Sequence, residues 1–376
     1  MKIAICSDIS QFHIDRLRDR NWSKRFLGSA WVTSLYERQA EMGIKLASGD
    51  VAIQRVRSGQ WKASDVHVIQ ELDARHGQNL CRLGAVPSVL TVFESPLVAY
   101  RSVDRLMRSD VRFAHCVGPE TLFKRMLAQR QSNLWPLSFP SYWRDQLPTP
   151  VLWFERKHAA LVAANKYWKE RKWVQVRSLK DALRVLRHGL RKQFSPTYRS
   201  CRRLQLHDVR LDLLHILGLH DEVEVFGHGW NNTRNMPSYQ AKRLSLVRSV
   251  FQGPCDDKHE VLSRYKFTIA FENTAYNGYT TEKMIDAIVA SSVPVYLGAP
   301  DVVLHLPVEA FIDVRAFKSL EAVATYMKQM GESEATSKIE AGREFLQSLQ
   351  GQRYTYEGFG EFIVSLVRGE YEQGRK

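Results

Sequence analysis

The sequence has few cysteines, no long apolar run and none of the compact motifs that identify many metal- or phosphate-handling enzymes. Its five cysteines (Cys6, Cys81, Cys116, Cys201 and Cys255) are scattered, odd in number and free of CxxC spacing. That pattern speaks against a disulfide framework and a cysteine-based zinc site, and reads as reduced thiols in a cytosolic protein. No run of eighteen or more apolar residues occurs, so no transmembrane helix is expected. The N-terminus, MKIAICSD, lacks the apolar core and cleavage site of a signal peptide. HExxH, paired CxxC, the phosphate-loop pattern GxxxxGK[ST] and GxGxxG are all missing. No metal or cofactor is therefore expected in the chemistry. Internal repeats and low-complexity segments are also missing.

What the chain does have is room and alternation. Its 376 residues suffice for two domains of ordinary size, each with its own core. Strand-like runs at 2–6, 51–56, 66–70 and 86–93 are separated by helical periodicity at 31–42 and around 80–83. This predicts an α/β domain with a parallel sheet over 1–155, with late strands at 114–117 and 134–137. Pro136, Pro140, Pro148 and Pro150 mark its end. Strands at 159–163 and 223–226, a helix over 208–219 and further pieces at 302–306, 311–314 and 320–330 build a second α/β domain over 156–350. Helices are expected at 342–349 and 356–367.

The densest signal runs from 265 to 300, YKFTIAFENTAYNGYTTEKMIDAIVASSVPVYLGAP. Phe267 to Phe271 is a short apolar run that suits a buried strand. A polar Asn/Thr/Gly loop follows, and Thr281 can cap a helix whose apolar face is Met284, Ile285, Ile288 and Val289. A second strand, 293–297, ends at Gly298-Ala299-Pro300. In an open parallel sheet ligands bind at the carboxyl ends of strands, where helix N-termini favour anions. Lys283 in the first turn opposes the helix dipole unless an anion binds there. An ordinary polar loop with a surface lysine is the alternative.

FENTAYNGYTTEK followed by VPVYLGAP resembles the donor-binding signature of the α1,3-fucosyltransferases, glycosyltransferase family ten. Weaker similarity runs from about residue 85 to about 320. The resemblance implies a GT-B-type α/β fold, two Rossmann-like domains facing a central cleft. The first would bind the acceptor and the second GDP-fucose, and 351–376 would cross back to the first. It implies inverting transfer of L-fucose from GDP-fucose without a metal. Glu94, at the end of the 86–93 strand, matches the family's base, although Phe93 replaces the usual Gly before it; a helix-capping or solvated Glu is the alternative. Lys283 and Arg210 match the residues on the donor diphosphate, with Arg199, Arg202 and Arg203 competing for the arginine role. Asn273, Tyr279 and Glu282 match residues that hold the donor's sugar or ribose, while for Glu272, just before Asn273, shaping the loop alone is the alternative. Asn165 lies where the family has a Ser-Asn loop, and Gly227 begins a Gly-His-Gly turn that lets backbone approach a ligand.

The segment 166–203 is the compositional outlier and has no counterpart in typical members of that family. It carries thirteen Lys or Arg against Glu170 and Asp181, a net +11 of the chain's +14. Leu179, Leu183, Leu186 and Leu190 form an apolar stripe beside Lys180, Arg184, Arg187 and Arg191, preceded by Trp168 and Trp173. Four uses fit: docking on an anionic membrane surface, grip on an acidic lipid-linked glycan, a surface hairpin packed on its own domain, or nucleic acid. No nucleic-acid motif accompanies the charge, so nucleic acid is not an expected partner.

The leading expectation is a cytoplasmic transferase, peripheral at the inner face of the plasma membrane. It would fucosylate a cell-surface or lipid-linked oligosaccharide such as lipopolysaccharide. A transferase using another GDP-sugar, or a non-catalytic nucleotide- or glycan-binding module, would leave much the same sequence pattern.

Overall fold

The structure, a computed structural model, describes residues 1–23, 27–120, 132–144, 148–149, 151–165, 179–231 and 238–370. The chain forms two compact units. The first comprises Met1–Gln146, Tyr276–Glu282 and Ser348–Lys376; the second comprises Leu147–Ala275 and Lys283–Gln347.

The first unit is built on six parallel strands: β1 (Lys2–Cys6), β2 (Lys45–Ser48), β3 (Val66–Glu71), β4 (Val86–Thr91), β5 (His115–Val117) and β6 (Asn133–Trp135), in the order β2-β1-β3-β4-β5-β6. The direction of winding reverses between β1 and β3. The crossovers β2→β3→β4→β5 all advance one way, so right-handedness puts the helices Gly49–Arg57, Arg75–Arg82 and Tyr100–Leu106 on one face. Ala52, Ile53, Leu80, Val103 and Leu106 share one core there with Val66 and Val68 of β3. On the other face the helices Ala30–Arg38 and Tyr356–Arg368 pack together. Gly360 allows this, because a Cβ there would lie 3.0 Å from Leu35 Cδ2. Trp31, Phe93, Phe139 and Phe359 form an aromatic cluster between them, with ring centroids 5.3 to 6.4 Å apart. A short strand, β7 (Leu137–Ser138), stands apart from this sheet.

The second unit is also a six-stranded parallel sheet: β8 (Lys157–Val162), β9 (Val223–Phe226), β10 (Phe251–Gly253), β11 (Tyr265–Phe271), β13 (Val293–Leu297) and β14 (Ile312–Asp313), in the order β10-β9-β8-β11-β13-β14. β12 (Tyr279–Thr280) pairs with β7 and belongs to the first unit. This is the doubly wound 3-2-1-4-5-6 order, whose switch point lies between β8 and β11. Sheets covered on both faces read as continuous apolar runs. Phe267, Ile269, Phe271, Val293 and Val295 accordingly sit in one core with Leu213, Leu214 and Leu217 of the helix His207–Gly218.

Several expectations are corrected. Residues 51–56 are not a strand but lie in the helix Gly49–Arg57; the missing strand is the preceding Lys45–Ser48. Alternation over six residues also fits two helical turns, and here Asp50 in the first turn and Arg55 and Arg57 in the last suit the dipole. Residues 302–306 contribute a 3-10 turn, Val302–Leu304, instead of a strand. The helix expected at 342–349 starts earlier and runs Glu332–Gln347. The first domain, expected to end at 155, ends as a compact unit at Gln146.

The described part of the basic segment contains a helix, Leu179–Phe194, followed by Pro196–Cys201, and residues 166–178 lie outside the described residues. Leu183, Leu186, Leu190 and Phe194 are exposed at 57, 52, 45 and 75 %. Trp168 and Trp173 lie outside the described residues. Among the described residues, no helix is long and apolar enough to cross a membrane.

Candidate functional site

In the second unit the carboxyl ends of β8 and β11 flank the switch point, the place where doubly wound sheets bind ligands. After β11 the chain enters Glu272, Asn273 and Thr274, all buried. Glu272 N–H donates to Leu297 O at 2.8 Å. Its side chain has room because position 298 is glycine: a Cβ there would lie 2.6 Å from Glu272 Cγ and 2.3 Å from the Tyr296 hydroxyl. Lys283, second residue of the helix Glu282–Val289, places Nζ 3.2 Å from Glu272 Oε2. The two side chains are 12 % and 0 % exposed.

Arg210 reaches the same loop from the helix His207–Gly218. It is 2 % exposed, and its Nη2 donates to Phe271 O, to Glu272 O at 2.9 Å and to Asn273 Oδ1 at 3.3 Å. The segment just before that helix is bonded to the loop as well. Leu206 N–H donates to Asn273 O, and Ala275 N–H to Leu204 O. Arg210, Glu272, Asn273 and Lys283 thus form one connected polar group at a strand end. The competing arginines, Arg199, Arg202 and Arg203, are exposed.

The loop after β8 is tied to the loop after β9. Asn165 N–H donates to His228 O at 2.8 Å, its side-chain amide donates to Gly229 O at 3.3 Å, and Trp230 Nε1 donates to Ala163 O at 2.7 Å. Gly227 has φ +117°, and a Cβ there would lie 2.3 Å from Ala163 O, so only glycine fits. Asn165 and Gly227 therefore shape the β8 side of the switch point.

The first unit holds the other residues. Glu94 is exposed, just past the end of β4. Phe93 beside it packs in the aromatic cluster and accepts the Tyr279 hydroxyl on its backbone oxygen at 3.3 Å. Tyr279 is buried, and Glu282 is half-buried. Both were expected with the donor loop of the second domain; they pack with the first unit, because Leu137 N–H donates to Gly278 O and Glu120 N–H to Asn277 O.

Two groupings were missed by sequence reasoning. Ser7 Oγ donates to Glu71 Oε2 at 2.7 Å where β1 and β3 end. Burial pushes the Glu71 carboxyl up, against the Ser7 hydrogen bond, with Glu94 and Asp8 adding to the rise. The available signal was position: Ser7 and Asp8 directly follow a strand. In the second unit Asp286, buried on the helix Glu282–Val289, lies 2.6 Å from Lys258 Nζ and 2.8 Å from His259 Nε2. Burial would raise its carboxyl, but Lys258 and His259 hold it down at about 2. A lone Asp on an apolar helix face gives no hint of partners twenty-odd residues upstream. Among the described residues, no group of three or more His, Cys, Asp or Glu is placed to hold a metal ion.

Residues 197–338 match the family described as "Glycosyltransferase family 10 (fucosyltransferase) C-term". This part of the chain is similar to the C-terminal domain of that family. It contains Arg210, Gly227, Asn273, Tyr279, Glu282 and Lys283, whereas Glu94 and Asn165 precede it. The chain is similar to the Helicobacter pylori alpha-(1,3)-fucosyltransferase FucT, 33% identical over 111 residues, which make up 30% of this chain and 23% of that protein. It is similar to an Arabidopsis thaliana putative fucosyltransferase-like protein, 37% identical over 112 residues, or 30% of this chain and 20% of that protein. The chain thus spans less than a quarter of either relative. In three dimensions it resembles the crystal structure of an alpha1,3-fucosyltransferase with GDP-fucose, with a TM-score of 0.51 at 17% identity, over 100% of this chain and 91% of that chain. The matched region therefore sits within a GT-B fold made of two Rossmann-like units.

Proposed function

We propose that the protein transfers L-fucose from GDP-fucose to a hydroxyl of a glycan, with inversion at the sugar carbon. The observation that carries this reading is the Arg210–Glu272–Asn273–Lys283 group at the end of β11, inside the region that matches family 10. The names of its fucosyltransferase relatives supply the donor. Lys283 and Arg210 hold the diphosphate, whose developing negative charge fixed cations stabilise without a metal. Asn273, Tyr279 and Glu282 orient the donor by hydrogen bonds, while Asn165 and Gly227 set the backbone beside it. Glu94 is the base. The acceptor oxygen attacks the sugar carbon as its proton passes to the Glu94 carboxylate, and GDP departs with the electron pair of the broken C–O bond. Such a base contributes roughly 10²–10⁴-fold.

The basic helix Leu179–Phe194 places the enzyme on an anionic bilayer at the cytoplasmic face, where a lipid-linked acceptor is presented. Its exposed leucines enter the interface and the neighbouring arginines meet the headgroups.

The test is GDP release and product analysis with GDP-fucose and a panel of glycans. Glu94→Gln should bind GDP as the wild type does and lose transfer. If the wild type binds GDP but moves no sugar onto any acceptor, the protein is a binding module. If Glu94→Gln keeps full activity, Glu94 is not the base.

A further inference from the structure

A cavity of about 930 Å³ opens in the first unit, between the helices Arg75–Arg82 and Tyr100–Leu106. Its wall carries five arginines: Arg75, Arg82, Arg105, Arg108 and Arg112. The acidic groups in the wall are Asp73 and Asp110, and Asp73 is already paired with Arg105. Among the described residues, Arg75, Arg82, Arg108 and Arg112 have no carboxylate at ion-pair distance.

Topology brings these charges together. Because β3→β4 and β4→β5 are successive crossovers in one direction, their helices lie side by side on the same face. Arg75 and Arg82 stand at the two ends of the first helix, Arg105 in the last turn of the second, and Arg108 and Arg112 in the connection to β5. The groove between the helices is therefore lined by arginines from both helices and from the connection to β5. Like charges confined to one concavity repel, and an anion in the groove reverses the sign of that energy.

We propose that this groove binds an oligosaccharide bearing several anionic groups. The planar forks of arginine suit carboxylate, sulfate and phosphate oxygens, which they can take in pairs. The volume is at the upper end of small-molecule sites and fits a few sugar units. Among the described residues, the wall has no aromatic side chain. Single-stranded nucleic acid, which relies on stacking platforms as well as charge, is thereby disfavoured. The proposal stands independently of the transfer reading, because none of these residues belongs to the donor site.

The experiment is calorimetric titration of the full chain at low ionic strength, where surface electrostatics are least screened. The probes are a heparin hexasaccharide, which carries sulfate, and a galacturonate hexamer, which carries carboxylate alone. Maltohexaose is the neutral control and a dT oligonucleotide the nucleic-acid control. One or both acidic hexasaccharides should bind, more weakly as salt is added, and maltohexaose should not. Each exposed guanidinium–oxyanion pair counts for up to about fivefold in affinity. The variant Arg82→Gln/Arg108→Gln/Arg112→Gln should therefore lose tenfold or more while keeping its Tm and its affinity for GDP. If that variant fails to fold, single Arg108→Gln and Arg112→Gln changes, both outside helices, should each weaken binding roughly two- to fivefold. Absence of binding by both acidic probes overturns the proposal, as does unchanged affinity in folded variants, or tighter binding of the oligonucleotide through the same arginines. Loss of GDP binding alone would speak against the donor site and leave this groove untouched.

Discussion

Replacing Lys283 with methionine separates what that residue does for the fold from what it does for the donor. Its ammonium lies 3.2 Å from a carboxylate that is fully shielded from water. Removing one partner of a buried pair typically costs about 3–5 kcal/mol, because the remaining charge is uncompensated. Lys283→Met should therefore destabilise the second unit by about 3–5 kcal/mol. The double variant Glu272→Gln/Lys283→Met, which removes both partners of the pair, should recover most of the stability. GDP affinity should fall at least about tenfold in both variants if the ammonium also holds phosphate. Calorimetry of the full chain reads this directly, through the unfolding transition that GDP shifts by mass action. Two results would refute the reasoning: a Lys283→Met loss below about 0.5 kcal/mol, or a double variant that binds GDP like the wild type.

Other consequences are more local. Asp286 has a folded value of about 2 against about 3.9 in the unfolded chain. Its carboxylate should therefore contribute about 2–3 kcal/mol that is fully present above about pH 4 and disappears as pH falls to about 2; Asp286→Asn should flatten the acid-unfolding curve over that window, and an unaltered curve would count against the triad. Gly227→Ala must adopt φ +117° with a Cβ against Ala163 O, so we expect a loss of about 1–3 kcal/mol in urea unfolding together with weaker GDP binding; an alanine variant with wild-type values would show that the loop relaxes freely. Leu183→Asp/Leu186→Asp/Leu190→Asp should abolish sedimentation with vesicles containing anionic lipid while leaving GDP affinity alone, and unchanged sedimentation would remove the membrane role of the helix.

The sequence was most readable where local pattern and tertiary demand coincide. The strand at 265–271, the helix after it and the strand at 293–297 are signalled by apolar run, polar loop, helical periodicity and apolar run in turn, and β11, the helix Glu282–Val289 and β13 follow that pattern. Reading failed where an element was too short to show a period. β2 is four residues long, and the alternation beside it was taken for the strand it flanks. The candidate site was legible to the same degree. Arg210 bonds Asn273 and Lys283 pairs with Glu272 beside it, yet the loop that carries Tyr279 and Glu282 packs with the first unit. Nothing local distinguishes Tyr279 from its neighbours in this respect, because its place is set by hydrogen bonds to residues far away in the chain.

By itself the sequence determined the class of the fold, the strand, loop and helix pattern that begins with β11 and the concentration of charge in 166–203, since each is written in neighbouring residues. Only the tertiary structure decided which arginine reaches that loop, that Glu272 lies buried against Lys283 and that Asp286 meets Lys258 and His259. It alone gathered five arginines from two helices and a connection around one cavity. Burial and pairing depend on what the rest of the chain brings alongside a residue, and a side chain's neighbours in sequence carry no record of that.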